Sequence, residues 1–291
     1  MGPTLLQIVI LGLIQGAAEL LPVSSSAHVI VAEKLMRLDP SSPEMTFMLV
    51  MLHTGTMGAV ILYFWTAWKK SLFSDSAAFK AFVARLAVAT AASAIVYEGL
   101  VKFAEKVILH GGHHAEVEQL FSKLPLIAVS LGAAGLVILA AGLRRRPEGE
   151  LEGSERVESA WTSFWIGAVQ GVSIPFRGFS RSGVTISTAL LLGIGKRRAE
   201  EFSFALAVVL TPAAIVVELR RLLMARAEAA SAVAMGSLVA PGVLGMVCSF
   251  IAGLAALRWL SRWLEAGRWH YFGIYCLIAA AGIFGLGWAG Y

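Results

Sequence analysis

Residues that could carry out chemistry are concentrated in QGAAELLPVSSSAH, residues 15–28, inside otherwise apolar sequence. Glu19 follows Gln15 by four positions, so on a helix the two side chains project from the same face. A carboxylate in such a segment can face a water-filled crevice or a neighbouring helix, but function is the default interpretation. Because oxygen donors suit hard divalent cations, the pair predicts a site for Mg²⁺ or Ca²⁺.

A run of three serines, residues 24–26, follows Pro22 in the same stretch. Proline begins a new helix well, and a serine at the N-cap satisfies free backbone N–H groups. Capping needs one hydroxyl, so three hydroxyls beside a helix N-terminus indicate an anion site. His28 follows within the first turn. Beside Glu19 and the serines, we interpret it as functional rather than as a satisfied core histidine.

A second polar stretch, RGFSRSGVTIS at residues 177–187, interrupts apolar sequence in the second half of the chain. A guanidinium, hydroxyls and backbone amides at a glycine-bearing turn together make a cradle for phosphate. In the alternative, Arg181 only pairs with Glu19 and neutralises it, which would also bring the two stretches together. The sequence therefore predicts one pocket at which both stretches meet.

The composition indicates an integral membrane protein. Hydrophobic residues make up 57% of the 291 residues and charged residues 15%, with a mean hydropathy of +0.74. A soluble chain of this length is far more polar. The net charge of +5 does not predict a nucleic-acid partner, because the basic residues cluster in short loops between apolar runs. Cys248 and Cys276 lie in apolar segments and are expected to be packing residues.

Six apolar stretches are long enough to cross about 30 Å of hydrocarbon as helices. They lie near residues 44–66, 81–103, 123–143, 201–223, 233–257 and 270–290. Two further regions, 4–36 and 160–195, are apolar but interrupted by proline and polar residues. Interrupted backbone at bilayer depth survives only inside protein or beside a wet cavity. We therefore interpret both regions as re-entrant helix hairpins.

The predicted fold class is an all-α polytopic membrane protein built as an inverted repeat. The first repeat, residues 1–143, has one hairpin and three spans, and the polar linker 144–159 joins it to the second repeat, 160–291, with the same order. Three spans per repeat insert the second repeat upside down, which predicts a site near the midplane between the broken segments. The sequence similarity between the two repeats is weak and includes the segments LIQG (13–16) and AVQG (168–171).

Loop charges predict the orientation in the membrane. The loops after alternate spans carry more Lys and Arg, including residues 144–146 and 196–198, and the positive-inside rule places this side in the cytoplasm. The basic stretch 218–226 is discordant, because it falls on the opposite side. Both termini and the mouth of the first hairpin are then expected outside.

The two polar stretches resemble the signatures of bacterial undecaprenyl-diphosphate phosphatases of the bacitracin-resistance type. QGAAELLPVSSSAH is similar to the pattern (E/Q)xxxE…PxSSxxH, and GFSRSGVTIS is similar to PGxSRSGxTI. The resemblance covers the whole chain, including LHTGTMGAVILYF (52–64) and AEEFSFALAV (199–208). It implies an inner-membrane phosphatase that hydrolyses undecaprenyl diphosphate to undecaprenyl phosphate and phosphate, which recycles the lipid carrier for cell-wall synthesis. It also implies an active site on the periplasmic side.

The resemblance implies a role for each motif residue. Gln15 and Glu19 would stand in the acidic motif, with Glu19 as metal ligand or general base, and Arg181 would bind phosphate. The choice of nucleophile between Ser25 and His28 stays open. Residues expected to bind substrate are Ser24, Ser26, Arg177, Ser180, Ser182 and Gly183.

Two positions depart from the family pattern. Gln15 is the weaker of the two allowed residues, so metal affinity is expected to depend mainly on Glu19. PFRGFSRSG places two residues between the proline and the glycine, where the family usually has none. One of them is Arg177, which either adds a phosphate contact or reshapes the loop.

The expected partners are a polyprenyl diphosphate lipid and the bilayer, and a homodimer is left open. The rival function is an inverted-repeat anion transporter or a lipid flippase, because broken helices are also transporter architecture. Glu19 beside His28 favours chemistry, since passive anion passage gains nothing from a carboxylate. The loop HGGHHAEVE (110–118), with His110, His113 and His114, lacks the ordered spacing of a metal site.

Overall fold

The computed structural model describes residues 3–39, 42–71, 75–108, 123–144, 159–228 and 235–289. The described residues are helical and contain no β-strand, as the sequence predicts. Their α-helices are α1 Leu5–Leu20, α2 Ser25–Leu35, α3 Pro43–Ser71, α4 Ser76–Phe103, α5 Leu124–Leu143, α6 Ala160–Ser173, α7 Arg181–Leu191, α8 Lys196–Glu228, α9 Met235–Glu265 and α10 His270–Trp288. The predicted linker lies almost wholly outside the described residues, and so does the loop 110–118.

Six of the described helices, α3, α4, α5, α8, α9 and α10, are long and apolar enough to cross a membrane. This confirms the six predicted spans. Several helices extend beyond the predicted limits: α3 continues to Ser71 and α8 already begins at Lys196. The predicted spans end at the first charged residues, where the hydropathy falls. The backbone stays helical beyond them because Lys, Arg and Glu are good helix formers.

The remaining four α-helices of the described residues form two pairs, each with a break between its members. Residues 21–24 separate α1 from α2, and residues 174–180 separate α6 from α7. At about 1.5 Å per residue, α1 is roughly 24 Å long and α2 roughly 17 Å, so neither alone crosses about 30 Å of hydrocarbon. The breaks lie where the sequence predicts them, while re-entry from one side of a membrane stays a prediction.

The helices group into two compact units. The first unit contains Met1–Leu21, His28–Thr66 and Ala207–Leu260, and the second contains Pro22–Ala27, Ala67–Leu206 and Ser261–Tyr291. Each unit combines segments from both predicted repeats. Pro22–Ala27, which contains most of the turn after α1 and the first residues of α2, belongs to the unit that contains α6 and α7.

In the first unit, α1 packs on α9 at backbone distance. A Cβ atom on Gly16 would meet the carbonyl oxygen of Ser249, and one on Gly12 would lie 2.7 Å from the Cβ of Cys248. Small residues four positions apart permit such close packing between apolar helices. The position of α1, and with it the direction of Gln15 and Glu19, is therefore determined by the surface of α9.

In the second unit, α6 packs on α4 through the same kind of spacing. A Cβ atom on Gly167 would meet the backbone of Ala89, and one on Gly171 would meet the carbonyl oxygen of Ser93. Ser93 Oγ donates to the carbonyl oxygen of Gly167 at 2.8 Å, and Gln170 Nε2 donates to Ser93 Oγ at 3.0 Å. The similar segments LIQG and AVQG therefore each lie at a close contact between two helices.

Candidate active site

The acidic pair lies near the end of α1. Gln15 is buried, and its Nε2 donates to Glu19 Oε2 at 3.2 Å, which confirms that the two side chains share a helix face. The amide nitrogen faces the carboxylate, so Gln15 orients Glu19 and stabilises its charge. The orientation of an amide follows from its hydrogen bonds. For Glu19 and the Gln15 oxygen to bind one cation together, the Gln15 amide would have to flip.

A histidine outside the predicted site faces the same carboxylate. His53, on α3, has its Nε2 4.0 Å from Glu19 Oε2, and its Nδ1 lies 2.9 Å from the carbonyl oxygen of Leu49. A carbonyl oxygen only accepts, so Nδ1 carries the proton. The sequence contained a signal for this residue, because His53 is an ionisable side chain within an apolar span, and such residues are functional candidates by default.

One residue of α9 positions both α1 and α3. Ser249 Oγ donates to the carbonyl oxygen of Leu52 at 2.9 Å, and the Ser249 carbonyl lies against Gly16 of α1. A Cβ atom on Gly55 of α3 would meet Ser249 Oγ and the carbonyl of Met246. The glycines bring α1 and α3 onto the same point of α9, which places the carboxylate and the imidazole next to each other.

The serine turn has a strained residue. Ser24 is buried and has φ of 68°, in the left-handed region that costs a non-glycine residue about 1–2 kcal/mol. Ser24 Oγ and Ser26 Oγ lie 3.3 Å apart. Such strain concentrates at functional sites. The turn is held in place by Cys276 of α10, whose Sγ donates to the carbonyl oxygen of Pro22 at 3.3 Å.

The expectation that Pro22 starts the second helix is wrong. The helix α2 begins at Ser25, and Pro22 lies in the preceding turn. The left-handed backbone at Ser24 prevents the helix from extending back to the proline. Ser25 therefore stands in the first turn of α2, where backbone N–H groups lack helical partners, and both Ser25 and His28 are half-buried.

The second polar stretch supplies a helix N-terminus. Ser180 is the N-cap of α7, and its Oγ accepts from the backbone N–H of Gly183 at 3.3 Å. Arg181 is the first residue of the helix and is half-buried. The turn before it needs glycine, because Gly178 has φ of 106° and its Cβ would meet the carbonyl oxygen of Ile127. The N-terminus of α7 therefore presents a guanidinium beside backbone donors.

The other residues expected to bind substrate differ in accessibility. Ser182 and Gly183 are buried, and a Cβ atom on Gly183 would lie 2.7 Å from the side chain of Ile138. Glycine at this position therefore serves packing. Arg177 lies in the turn before α7 and is half-buried. Ser24, Ser25 and Ser26 belong to the same compact unit as these residues, whereas Gln15, Glu19 and His28 belong to the first unit.

Two buried carboxylates in AEEFSFALAV have structural partners. Glu200 accepts a hydrogen bond from Ser261 Oγ at 2.5 Å, which connects α8 to α9. Glu201 accepts from Arg197 Nε at 2.9 Å and from Arg198 at 3.4 Å. The Glu200 contact joins two helices, and the Glu201 contacts are ion pairs within the first turns of α8. Both carboxylates thus have structural partners, and neither is a candidate for catalysis.

The side chains present fit a divalent cation that receives some of its ligands from the substrate. No group of three or more His, Cys, Asp and Glu side chains is arranged to hold a metal ion within the described ranges. Mg²⁺ is commonly bound by one or two carboxylates together with substrate phosphates and water. Glu19 provides such a carboxylate, so the residues present agree with a cation that binds together with a diphosphate.

The chain matches known proteins over nearly its whole length. The family model described as bacitracin resistance protein BacA matches residues 8–282. An undecaprenyl-diphosphatase 2 of Acinetobacter baylyi is 56% identical over 276 residues, with 94% of each chain covered. An undecaprenyl-diphosphatase 2 of Burkholderia orbicola is 34% identical, covering 97% of this chain and 95% of the relative. An undecaprenyl-diphosphatase of Korarchaeum cryptofilum is 30% identical, covering 96% and 98%.

Proposed function

The chain belongs to the bacitracin resistance protein BacA family, and on this premise we propose that it is a membrane phosphatase that hydrolyses undecaprenyl diphosphate. The products are undecaprenyl phosphate and phosphate, and the reaction returns the lipid carrier to cell-wall synthesis. The observation that carries the proposal is 56% identity, over 94% of both chains, to a relative named undecaprenyl-diphosphatase 2. The orientation of Glu19 by Gln15 supports it independently.

The diphosphate binds at the N-terminus of α7. Arg181 and the positive end of the α7 dipole attract the phosphate oxygens, as guanidinium groups and helix N-termini do for anions. Arg177, in the preceding turn, adds a second positive charge. These groups are in place before the reaction, so they stabilise the charge that develops on the transferring phosphoryl group.

Glu19, oriented by Gln15, would hold the divalent cation. Mg²⁺ or Ca²⁺ bound there would neutralise negative charge on the phosphate oxygens and act as a Lewis acid. In addition, the Glu19 carboxylate is the group we assign as general base. Its hydrogen bond from Gln15 keeps the carboxylate in one orientation toward the substrate.

Ser25 is the proposed nucleophile. Its hydroxyl loses a proton to the base as its oxygen attacks the terminal phosphorus. The bridging P–O bond breaks and its electron pair leaves with undecaprenyl phosphate. Water then attacks the phosphoserine phosphorus and releases phosphate with Ser25 restored. His28, one turn further along α2, is the alternative nucleophile and would form a phosphohistidine instead. The strained backbone at Ser24 supports a functional turn at this position.

The two broken helix pairs are proposed to re-enter the membrane as parts of an inverted repeat. The glycine spacing supports this proposal: α1 packs on α9 through Gly12 and Gly16, and α6 packs on α4 through Gly167 and Gly171. Each hairpin thus contacts the other repeat in a related way. The site then opens toward the periplasm at the mouth of the first hairpin.

The test is phosphate release from a C15 or C55 prenyl diphosphate by purified protein in detergent, with Mg²⁺, Ca²⁺ or EDTA. We expect metal-dependent release that Glu19→Gln and Arg181→Ala abolish. Glu98→Gln, which changes an exposed carboxylate of α4 paired with Lys102, should behave as wild type. If folded wild-type protein releases no phosphate under any of these conditions, the proposal fails, and anion flux in liposomes becomes the next assay.

A further inference from the structure

We infer that His53 is a nitrogen ligand of the divalent cation and that it completes the site begun by Gln15 and Glu19. The inference rests on the proposed function for the presence of a cation at Glu19. It adds a residue of α3, outside both polar stretches of the sequence. It also changes the chemical character of the site from all-oxygen to mixed nitrogen and oxygen donors.

The first argument is the tautomer of the imidazole. Nδ1 of His53 donates to the carbonyl oxygen of Leu49 at 2.9 Å, so Nε2 of the neutral ring presents a lone pair. Metal-binding histidines almost always donate their other ring N–H to a carbonyl or carboxylate, which selects the tautomer and orients the ring. His53 has this arrangement, and its Nε2 faces Glu19.

The second argument is the gap between the two donors. His53 Nε2 and Glu19 Oε2 lie 4.0 Å apart, beyond hydrogen-bond distance. A metal ion between the two atoms would be attracted both by the carboxylate and by the Nε2 lone pair of a neutral imidazole. A cation midway would be about 2.0 Å from each atom, and bonds of about 2.0–2.6 Å are normal for Mg²⁺, Zn²⁺ and Ca²⁺. The gap therefore accommodates a metal ion.

The third argument is that the two donors are held by rigid contacts. Gly16 lies against the Ser249 carbonyl, and Gly55 lies against Ser249 Oγ and the Met246 carbonyl. None of these contacts leaves room for the helices to move closer together. The side chains of His53 and Glu19 remain 30% and 14% exposed, so protein atoms do not seal the gap completely. A preorganised and accessible donor pair is what a metal site requires.

The experiment uses Mn²⁺ as a paramagnetic probe of the full-length protein in detergent. Electron spin-echo envelope modulation should detect an imidazole nitrogen coupled to Mn²⁺ in the wild type. We expect this coupling to disappear in His53→Gln and to persist in His28→Gln and in His270→Gln. His270 lies on α10 in the second compact unit, so its replacement is a matched loss of one imidazole.

Metal affinity provides a second readout. Imidazole suits Zn²⁺, whereas carboxylate and water suit Ca²⁺, and loss of even a residue that only orients a ligand typically costs about 10- to 100-fold in metal affinity. His53→Gln should therefore weaken Zn²⁺ binding by at least about 10-fold and Ca²⁺ binding much less. Calorimetric titration of both ions measures this difference. If His53→Gln does not fold, as judged by gel filtration and thermal unfolding, His53→Asn takes its place. Nitrogen coupling that persists in a folded His53 variant, or no coupling in the wild type, overturns the inference.

The outcome is separable from that of the phosphatase assay. Phosphate release that depends on Glu19, without nitrogen coupling to Mn²⁺, would leave the proposed function intact and refute the role of His53. Nitrogen coupling that His53→Gln removes, without phosphate release from any prenyl diphosphate, would refute the proposed function and leave the metal site intact.

Discussion

Replacement of Gly16 by alanine tests whether the contact between α1 and α9 positions the acidic pair. The added Cβ would meet the carbonyl oxygen of Ser249, and it would lie 2.7 Å from the Cβ of Ala252 and 2.9 Å from the Cα of Ser249. These neighbours are backbone atoms and a methyl group, which cannot rotate away. The two helices must separate, by about 1 Å if the contacts are to reach the usual 3.5–4.0 Å.

The separation affects both stability and activity. Overpacking of this kind typically costs about 1–3 kcal/mol of unfolding free energy, while the better helix propensity of alanine returns up to about 1 kcal/mol. Glu19 is three residues beyond Gly16, so it moves with α1 relative to His53. A displacement of about 1 Å in a catalytic group can lower activity about 100-fold. We therefore expect activity to fall more steeply than stability.

The assay compares Gly16→Ala with Gly58→Ala. Gly58, on α3, also faces α9, but its added Cβ would lie 3.5 Å from the ring of Phe250, in ordinary contact. Thermal unfolding in detergent and phosphate release from a C15 prenyl diphosphate are measured for both variants. Gly58→Ala should unfold at or above the wild-type temperature with nearly wild-type activity. Equal behaviour of the two variants would refute the reasoning that the contact at Gly16 positions Glu19.

Substitutions at Ser24 and Gly178 test two turns that have left-handed backbone. Ser24→Gly should raise the unfolding free energy by up to about 1–2 kcal/mol, because glycine adopts the left-handed backbone without strain, but phosphate release should fall with the loss of the hydroxyl. Ser24→Ala removes the hydroxyl and keeps the strain, so an alanine variant as stable as the glycine variant would contradict this account. Gly178→Ala should cost at least about 1–2 kcal/mol, because its φ is 106° and the Cβ meets the Ile127 carbonyl. Thermal unfolding measures this loss of stability. The control is Gly99→Ala, which should not be destabilised because an added Cβ would have no neighbour within 4 Å. Equal losses of stability in the two variants would rule out the steric explanation.

The helices and their interruptions could be predicted because their causes are local. Apolar runs long enough to cross a bilayer and proline or polar interruptions are visible in a short window of sequence. The i, i+4 relation between Gln15 and Glu19 is also local, and the structure realises it as a hydrogen bond. The start of α2 differs from the prediction because the left-handed backbone at Ser24 overrides the preference of proline for the first helical turn.

Contacts between distant segments could not be predicted in the same way. His53 is 34 positions beyond Glu19 and lies within an apolar run, and its proximity to the carboxylate follows from the packing of α1 and α3 on Ser249. The orientation of the Gln15 amide likewise depends on its surroundings rather than on spacing. The carbonyl of Pro22 finds its donor in Cys276, on the last helix of the described chain.

The sequence by itself determined that this is an all-helical membrane protein with six spans and two interrupted segments, and that polar groups fit for phosphate chemistry lie in those segments. Hydropathy, helix spacing and motif order are properties of contiguous residues, so no fold is needed to read them. Only the tertiary structure decided which glycines bring helices together and which side chains then face Glu19. The physical reason is that close packing depends on the shapes of two surfaces at once, and a single stretch of sequence contains only one of them.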